Sequence, residues 1–249
     1  MSKEDEQNYL EKIGDTGRDH SLRKPFSDNF CGINLAAIGS IISLLPPPPG
    51  RLLDLGCGGG WTSVFFSKYG YSVIGQDISQ DMIDLAYENK KINALSNNLD
   101  FVLSDYENLN FDNEFECAVF FDSLHHSDDE LAAIRSAYRA LKPGGILITH
   151  EPGEGHSTAP ESIEAMRLYG VNERDMPPSL IIQRAREVGF ESFRVMPMQH
   201  TLHSIFYEYR VHPPLFSKAG LRLAKRLFNL VYNPSLRASS IVIMTKPTA

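Results

Sequence analysis

Apolar runs of strand length alternate along this chain with segments whose apolar residues recur at the 3.6-residue spacing of a helix. Helical spacing occurs at about 30–45, at Trp61–Tyr69, and after Ser79, Ser127 and Pro177, with residues 27–29, Ser79 and Ser127 as predicted N-caps. The runs that predict strands are 51–55, 71–77, 99–103, 115–121, 146–149, 190–196 and 240–246. Four strand–helix units in succession predict an α/β fold with a doubly wound, mostly parallel sheet.

A glycine-rich turn follows the first strand directly. Gly56, Gly58 and Gly60 permit a sharp turn and leave room for a ligand to approach the backbone. We expect bare amides at this turn and unpaired N–H groups at the start of the next helix, both available to a polar or anionic ligand. Asp54 adds a carboxylate beside the turn.

The spacing of these residues separates two cofactor classes. The dinucleotide-binding fingerprint requires glycine or alanine at its sixth position, where this chain has Trp61. Residues 54–60 instead match acidic-x-Gly-x-Gly-x-Gly, and so resemble the first motif of the class I S-adenosylmethionine (SAM)-dependent methyltransferases. Two further stretches resemble that family: Leu-His-His at 124–126 after the fourth strand, and Leu-Lys-Pro-Gly-Gly at 141–145 before the fifth.

The resemblance implies an architecture for the whole chain. It implies a Rossmann-like sheet of seven strands, with the last two forming an antiparallel pair at one edge. The chain would be a single methyltransferase domain, 1–249, with a helical cap at 1–49, a core at 50–197 and 238–249, and an insertion at 198–237. The alternative for the N-terminal segment is a surface helix with a mobile tail.

The resemblance also implies a set of SAM-binding residues. A carboxylate at Asp77 would accept both ribose hydroxyls, as it would in SAM or NAD alike. Asp105 would accept the adenine amino group beside Tyr106, unless it is a solvated loop acid. The full predicted set is Asp54, Gly56, Cys57, Gly58, Asp77, Ile78, Met82, Asp105, Tyr106, Phe121, Asp122 and Ser123.

Polar residues end several of the predicted strands. In open α/β sheets, ligands bind outside the carboxyl ends of the strands. Asp54, Asp77, Asp105, Asp122 and His150 all fall at those ends, which favours one site along one edge of the sheet.

Four histidines are candidates for a general base, because imidazole titrates near neutral pH. We predict catalytic roles first for His126 and His150, which lie at strand ends, although each could be a hydrogen-bonded loop histidine instead. Proximity alone can accelerate a methyl transfer, so a base is not required. Residues 150, 151 and 156 (His, Glu, His) match no firm ligand spacing, and no metal is predicted.

Composition limits the partners and the compartment. The 249 residues include 42% hydrophobic and 22% charged residues, as in ordinary globular proteins, and the formal net charge of −7 disfavours nucleic acid. Three separated cysteines, a polar N-terminus and the lack of an apolar run of about 20 residues predict a cytoplasmic protein without a signal peptide or membrane span.

The insertion has an unusual charge pattern. Residues 211–237 contain no Asp or Glu but five basic residues and an apolar stripe. A basic amphipathic helix can lie on a membrane surface or contact an anionic acceptor, so we predict peripheral contact with anionic lipid or a lipid-linked acceptor. The alternative is that the stripe packs on its own domain.

The resemblance implies an enzyme that transfers a methyl group from SAM to a small molecule and releases S-adenosyl-L-homocysteine (SAH). We predict O-methylation of a saccharide or a secondary metabolite, since the charge disfavours nucleic acid and no Asn/Asp-Pro-Pro-aromatic motif is present. The alternatives are a non-catalytic SAM-binding partner protein and an NAD-linked oxidoreductase.

Overall fold

A computed structural model describes residues 3–95, 97–207 and 212–248, and contains a seven-stranded sheet in the order β3-β2-β1-β4-β5-β7-β6. The strands are β1 Arg51–Leu55, β2 Ser72–Asp77, β3 Leu99–Leu103, β4 Phe115–Phe121, β5 Leu141–Glu151, β6 Glu191–Pro197 and β7 Ser240–Thr245. β7 is antiparallel to both β5 and β6, and the other pairings are parallel. The predicted doubly wound sheet with an antiparallel pair at one edge is confirmed.

Helices cover both faces of the sheet. They are α1 Lys3–Gln7, α2 Tyr9–Arg23, α3 Cys31–Leu44, α4 Trp61–Tyr69, α5 Gln80–Ile92, α6 Glu130–Ala140, α7 Pro160–Tyr169, α8 Pro178–Val188, α9 Gln199–Phe206 and α10 Lys218–Tyr232. β4 is buried on both sides: Ala118 and Phe120 join the core under α6 and α8, while Cys117 and Val119 join the core under α3 and α4. This explains why its sequence is continuously apolar from Cys117 to Phe121.

β5 is longer than predicted at its start. Residues 141–145, expected as a turn, already belong to the strand, but they bulge: Phe115 pairs with Leu141, and the next paired residues are Cys117 and Ile146. Gly144 takes a left-handed φ of +79° within this bulge. Its N–H donates to the carbonyl of Lys246 at 2.9 Å, so the chain after β7 holds the bulge in place.

Two of the three predicted N-caps are wrong. Ser79 caps α5 as predicted, by accepting from Met82 N–H at 3.4 Å. The hydroxyl of Ser127 instead donates to the Leu124 carbonyl, and Asp129 caps α6. Residues 27–29 do not cap α3, because its N-cap is Phe30, whose own N–H is taken by Asp28 at 2.7 Å.

The N-terminal helices pack across the carboxyl ends of the strands. Leu10 of α2 packs against Met82 and Leu85 of α5. The Ser79 hydroxyl donates to the carbonyl of Gln7 at 2.8 Å, which fixes the end of α1 beside β2. α1 and α2 therefore cover the edge of the sheet at which the polar residues were predicted to gather.

The insertion between β6 and β7 holds α9 and α10. α9 packs on α3, where the side-chain amide of Gln199 donates to the Ser40 hydroxyl at 2.6 Å. α10 buries only Gly220, and Leu221, Phe228 and Val231 are 56%, 59% and 71% exposed. Val211, where the basic segment was predicted to begin, lies outside the described residues. Across residues 3–95, 97–207 and 212–248, no helix has the length and apolar character that crossing a bilayer requires.

Candidate functional site

A cavity of about 750 Å³ lies at the carboxyl ends of β1, β2 and β4, beneath α1 and α2. One end is formed by the glycine turn and by Asp77. The other end is lined by polar side chains from the N-terminal helices and from the segments after β4 and α7, among them Glu6, Tyr9, His126, Tyr169 and Glu173. All predicted cofactor residues except Asp54 line this cavity.

The glycines of the turn have different roles. Gly56, Gly58 and Gly60 have φ values of +68°, +50° and +76°, a region that side chains other than glycine rarely adopt. A Cβ at Gly56 would lie 2.6 Å from the Cβ of Ser123, so glycine allows β1 and β4 to end side by side. A Cβ at Gly58 would have no atom within 4 Å, which leaves this backbone surface open to the cavity.

The expectation of bare amides at this turn is wrong for three residues. The N–H groups of Gly56 and Cys57 donate to the side-chain and main-chain oxygens of Gln76, at 3.3 and 2.9 Å. Gly58 N–H donates to Asp77 Oδ2 at 2.8 Å. Because the protein itself uses these donors, the turn contributes shape and open backbone surface rather than free amides.

Asp77 is held by two backbone hydrogen bonds. Oδ2 accepts from Gly58 N–H, and Oδ1 accepts from Ser79 N–H at 3.0 Å. Burial raises the pKa of Asp77 in spite of these bonds. Each carboxylate oxygen keeps another lone pair, so the group can still accept two hydroxyls from the cavity side.

Asp54 does not reach the cavity, which corrects its predicted place in the cofactor set. Its side chain is only 1% exposed, and its Oδ2 accepts the hydroxyls of Thr62 and Ser63 at 2.6 and 2.5 Å. Burial raises the pKa of Asp54 to about 6 against these hydrogen bonds. Its role is to attach the first turn of α4 to β1.

Asp105 and Tyr106 lie in the cavity wall next to Lys3. Asp105 Oδ1 accepts from Glu107 N–H at 2.9 Å, and its Oδ2 accepts from Lys3 Nζ at 2.5 Å. The Tyr106 hydroxyl donates to the carbonyl of Ser123 at 3.0 Å. The Lys3 ammonium therefore occupies the outer oxygen of the predicted adenine-binding carboxylate.

His150 lies behind the cavity wall, not in it. Its ring stacks on Phe121 with centroids 4.5 Å apart, and its Nδ1 is 3.0 Å from Asp122 Oδ1. Burial lowers the pKa of His150, but the charge and hydrogen bond of Asp122 outweigh it and leave that pKa raised. The geometry does not place His150 in contact with a bound acceptor, so its predicted catalytic role is corrected.

His126 lines the cavity, but its environment makes it a weak base. Its Nδ1–H donates to the carbonyl of Asn172 at 2.6 Å, so the imidazole orientation is set by the segment after α7. Burial, together with the neighbouring His125, lowers the pKa of His126 to about 3. A general base works best with a pKa near the operating pH, which argues against this role for His126.

Glu151, which sequence reasoning did not assign to the site, organises the Leu-His-His turn. Its fully buried carboxylate accepts the N–H groups of Ser123, Leu124 and His125 at 3.0, 2.8 and 3.3 Å. The imidazole Nδ1 of His125 donates to the same carboxylate at 2.7 Å. A glutamate after an apolar strand carries no signal of this role, because its partners are 26–28 residues away.

Two further glutamates complete the far end of the cavity. Glu173 Oε2 accepts from His156 Nε2 at 2.6 Å, and this bond, with the neighbouring histidines, lowers the pKa of Glu173 although burial opposes it. Glu6 accepts from Asn172 N–H at 2.8 Å, and burial raises the pKa of Glu6 to about 7. Both come from segments in which no motif was recognised.

Comparison with known proteins identifies the central segment. The family described as methyltransferase domain matches residues 53–149, which run from β1 to β5 and include the glycine turn and the Leu-His-His turn. Residues 53–149 are therefore similar to a methyltransferase domain. The helices α1–α3 and everything after β5 lie outside the matched segment.

Two curated relatives of this segment are C-methyltransferases. The chain is 31% identical over 164 residues to a ubiquinone/menaquinone biosynthesis C-methyltransferase of Pseudomonas putida, covering 64% of this chain and 63% of that protein. It is 28% identical to 24-methylenesterol C-methyltransferase 2 of Oryza sativa subsp. japonica, covering 64% of this chain and 46% of that protein. The chain thus spans less than two thirds of the length of these relatives.

Solved structures share the fold of the methyltransferase domain and its flanks. Phosphoethanolamine N-methyltransferase 2 of Haemonchus contortus, in complex with SAM, superposes with a TM-score of 0.66 at 20% identity, over 99% of this chain and 60% of that one. The cyclase SpnF superposes with a TM-score of 0.60 at 22% identity, over 88% of this chain and 83% of that one. At such identities the likeness concerns the fold alone.

Proposed function

We propose that this protein transfers the methyl group of SAM to a small-molecule acceptor bound at the far end of the same cavity. The observation that carries the proposal is a single cavity lined by the glycine turn and Asp77 at one end and by His126 and Glu173 at the other. Its volume of about 750 Å³ is within the range of about 300–1,000 Å³ found for ligand sites.

The cofactor half supplies binding and orientation. Asp77 accepts the ribose hydroxyls through its remaining lone pairs, and the open backbone at Gly58 lets the cofactor lie against the turn. Asp105 accepts the adenine amino group once Lys3 has moved from Oδ2. The sulfonium supplies the reactivity of methyl transfer, so the protein's contribution is alignment and exclusion of water beneath α1 and α2.

The acceptor half supports an oxygen acceptor. Carboxylates, imidazole and phenol groups line it, and these suit a polyhydroxylated saccharide or a polar secondary metabolite better than a hydrocarbon. The similar proteins named above include C- and N-methyltransferases and a cyclase. A shared fold does not fix the reaction, so the experiment must identify both the reaction and the acceptor. A non-catalytic SAM-binding protein is the competing reading.

The composition of α10 supports contact of the protein with an anionic lipid surface or with a lipid-linked acceptor. Apolar side chains of this helix are exposed beside basic residues such as Arg222 and Lys225. Such a helix can lie in the headgroup layer with its apolar face inward. A cytoplasmic location stays a prediction from cysteine usage.

Calorimetry with SAM, SAH and NADH tests the cofactor, and transfer of labelled methyl from SAM to a panel of acceptors tests the reaction. We expect SAM and SAH to bind and NADH not to bind. Asp77→Ala should abolish SAM binding, whereas Asp112→Ala, an exposed loop aspartate, should leave it unchanged. Binding of SAM with equal affinity by Asp77→Ala would contradict the ribose assignment, and binding without transfer to any acceptor would favour the non-catalytic reading.

A further inference from the structure

We propose that His125, His126 and Glu173 form a binding site for a divalent transition-metal ion at the acceptor end of the cavity. One ligand atom from each of these residues lies within 4.8 Å of the other two. His125 Nε2 and Glu173 Oε2 are 3.6 Å apart. Two ligands at the usual distances of about 2.0–2.2 Å from a shared tetrahedral zinc ion are separated by about 3.4 Å, so an ion fits with little movement.

The outer contacts engage the Nδ1 atom of both imidazoles. His125 donates its Nδ1–H to Glu151 at 2.7 Å, and His126 donates its Nδ1–H to the Asn172 carbonyl at 2.6 Å. Both rings therefore leave Nε2 for the ion. Metal-binding histidines ordinarily use one ring nitrogen for the ion and the other for a carboxylate or a backbone carbonyl, as observed here for both.

Glu173 is held in a similar way. His156 Nε2 donates to Glu173 Oε2 at 2.6 Å, and Glu173 is 12% exposed at the cavity surface. One carboxylate oxygen can take a hydrogen bond while the group keeps lone pairs for an ion. The proposed site thus consists of three protein ligands, and a separate buried or half-buried residue positions each of them.

The donor set indicates the class of ion. Two imidazoles and one carboxylate suit Zn²⁺, Fe²⁺ or Co²⁺ better than Mg²⁺ or Ca²⁺, which prefer oxygen ligands. Three protein ligands leave coordination positions open, and His126 and Glu173 both face the cavity. Where the proposed methyl transfer holds, an acceptor hydroxyl bound at an open position would lose its proton more readily, because a metal ion acts as a Lewis acid.

Equilibrium dialysis against Zn²⁺ with elemental analysis, on protein freed of any histidine tag, tests the site directly. We expect one Zn²⁺ per chain in the wild type, and a visible d–d absorption band when Co²⁺ is used instead. Glu173→Gln and His126→Asn should weaken Zn²⁺ binding by more than about 100-fold. His156→Asn, which removes only an outer contact, should weaken it by about 10–100-fold.

The matched control is His20→Gln, a cavity-lining histidine outside the cluster, which should bind Zn²⁺ as the wild type does. Far-UV circular dichroism establishes whether each variant is folded. If His126→Asn does not fold, Glu173→Gln alone tests the site. A wild type that binds no Zn²⁺, or cluster variants that bind it unchanged, would overturn the site and leave a plain hydrogen-bonded His–Glu network. SAM titration of the same proteins separates this result from the proposed function, since SAM binding does not depend on the ion.

Discussion

Replacing Glu151 by glutamine tests how the Leu-His-His turn is held. The wild-type carboxylate is fully buried and accepts three backbone N–H groups and the His125 imidazole. Glutamine has the same shape but only one acceptor oxygen. With that oxygen in the place of Oε1, its amide N–H₂ faces the two donors of His125 that Oε2 accepted.

The expected cost follows from these contacts. Hydrogen bonds to a charged group contribute about 1.5–3 kcal/mol each, and removal of one partner from a buried ion pair costs about 3–5 kcal/mol. We therefore expect Glu151→Gln to lower the free energy of unfolding by about 3–5 kcal/mol. That is a large fraction of the roughly 5–15 kcal/mol typical of a domain, so the loss should be readily measured.

Urea unfolding followed by far-UV circular dichroism and by the fluorescence of the single tryptophan, Trp61, measures the change. The matched control is Glu154→Gln, three residues further along, whose exposed ion pair with Arg237 predicts a loss below about 1 kcal/mol. If Glu151→Gln and Glu154→Gln unfold at the same urea concentration with equal slopes, the buried carboxylate does not hold the turn and the reasoning is refuted.

Three further predictions concern the turn, the buried acid and the surface helix. Gly58→Ala should weaken SAM binding at least tenfold by adding a methyl group at the cavity surface, whereas Gly155→Ala, equally left-handed but away from the cavity, should not; calorimetry compares them. The Asp54 pKa of about 6 exceeds its ordinary 3.8, so wild-type stability should fall by about 3 kcal/mol relative to Asp54→Asn as pH rises from about 4 to 6; urea unfolding across that range with parallel curves would contradict this. The double variant Arg222→Glu/Lys225→Glu should bind anionic vesicles more weakly than the wild type, by about 1 kcal/mol per basic residue, as measured by sedimentation. If the wild type binds neutral and anionic vesicles equally well, the electrostatic contribution is contradicted.

The local patterns determined most of the fold. Strand-length apolar runs and helical spacing predicted the seven strands of the sheet. The signal is clearest for the central parallel strands such as β4, because burial on both faces leaves a nearly continuous apolar run. The positive-φ glycines at 56, 58 and 60 were recognisable because few other residues adopt that backbone. The position of Asp77 was also predictable, because it directly follows an apolar run of strand length. In such sheets, ligands bind outside the carboxyl ends of the strands.

Only the tertiary structure decided which polar residues share the cavity. Asp54 and His150 lie at strand ends as predicted, yet neighbouring hydroxyls and an aromatic ring enclose them. Glu6 and Glu173 come from distant segments with no motif, and both line the cavity because α1 and the segment after α7 fold over the sheet edge. The physical reason is that backbone pattern is encoded by near neighbours, whereas the partners of a buried charge are set by contacts between residues up to 166 positions apart.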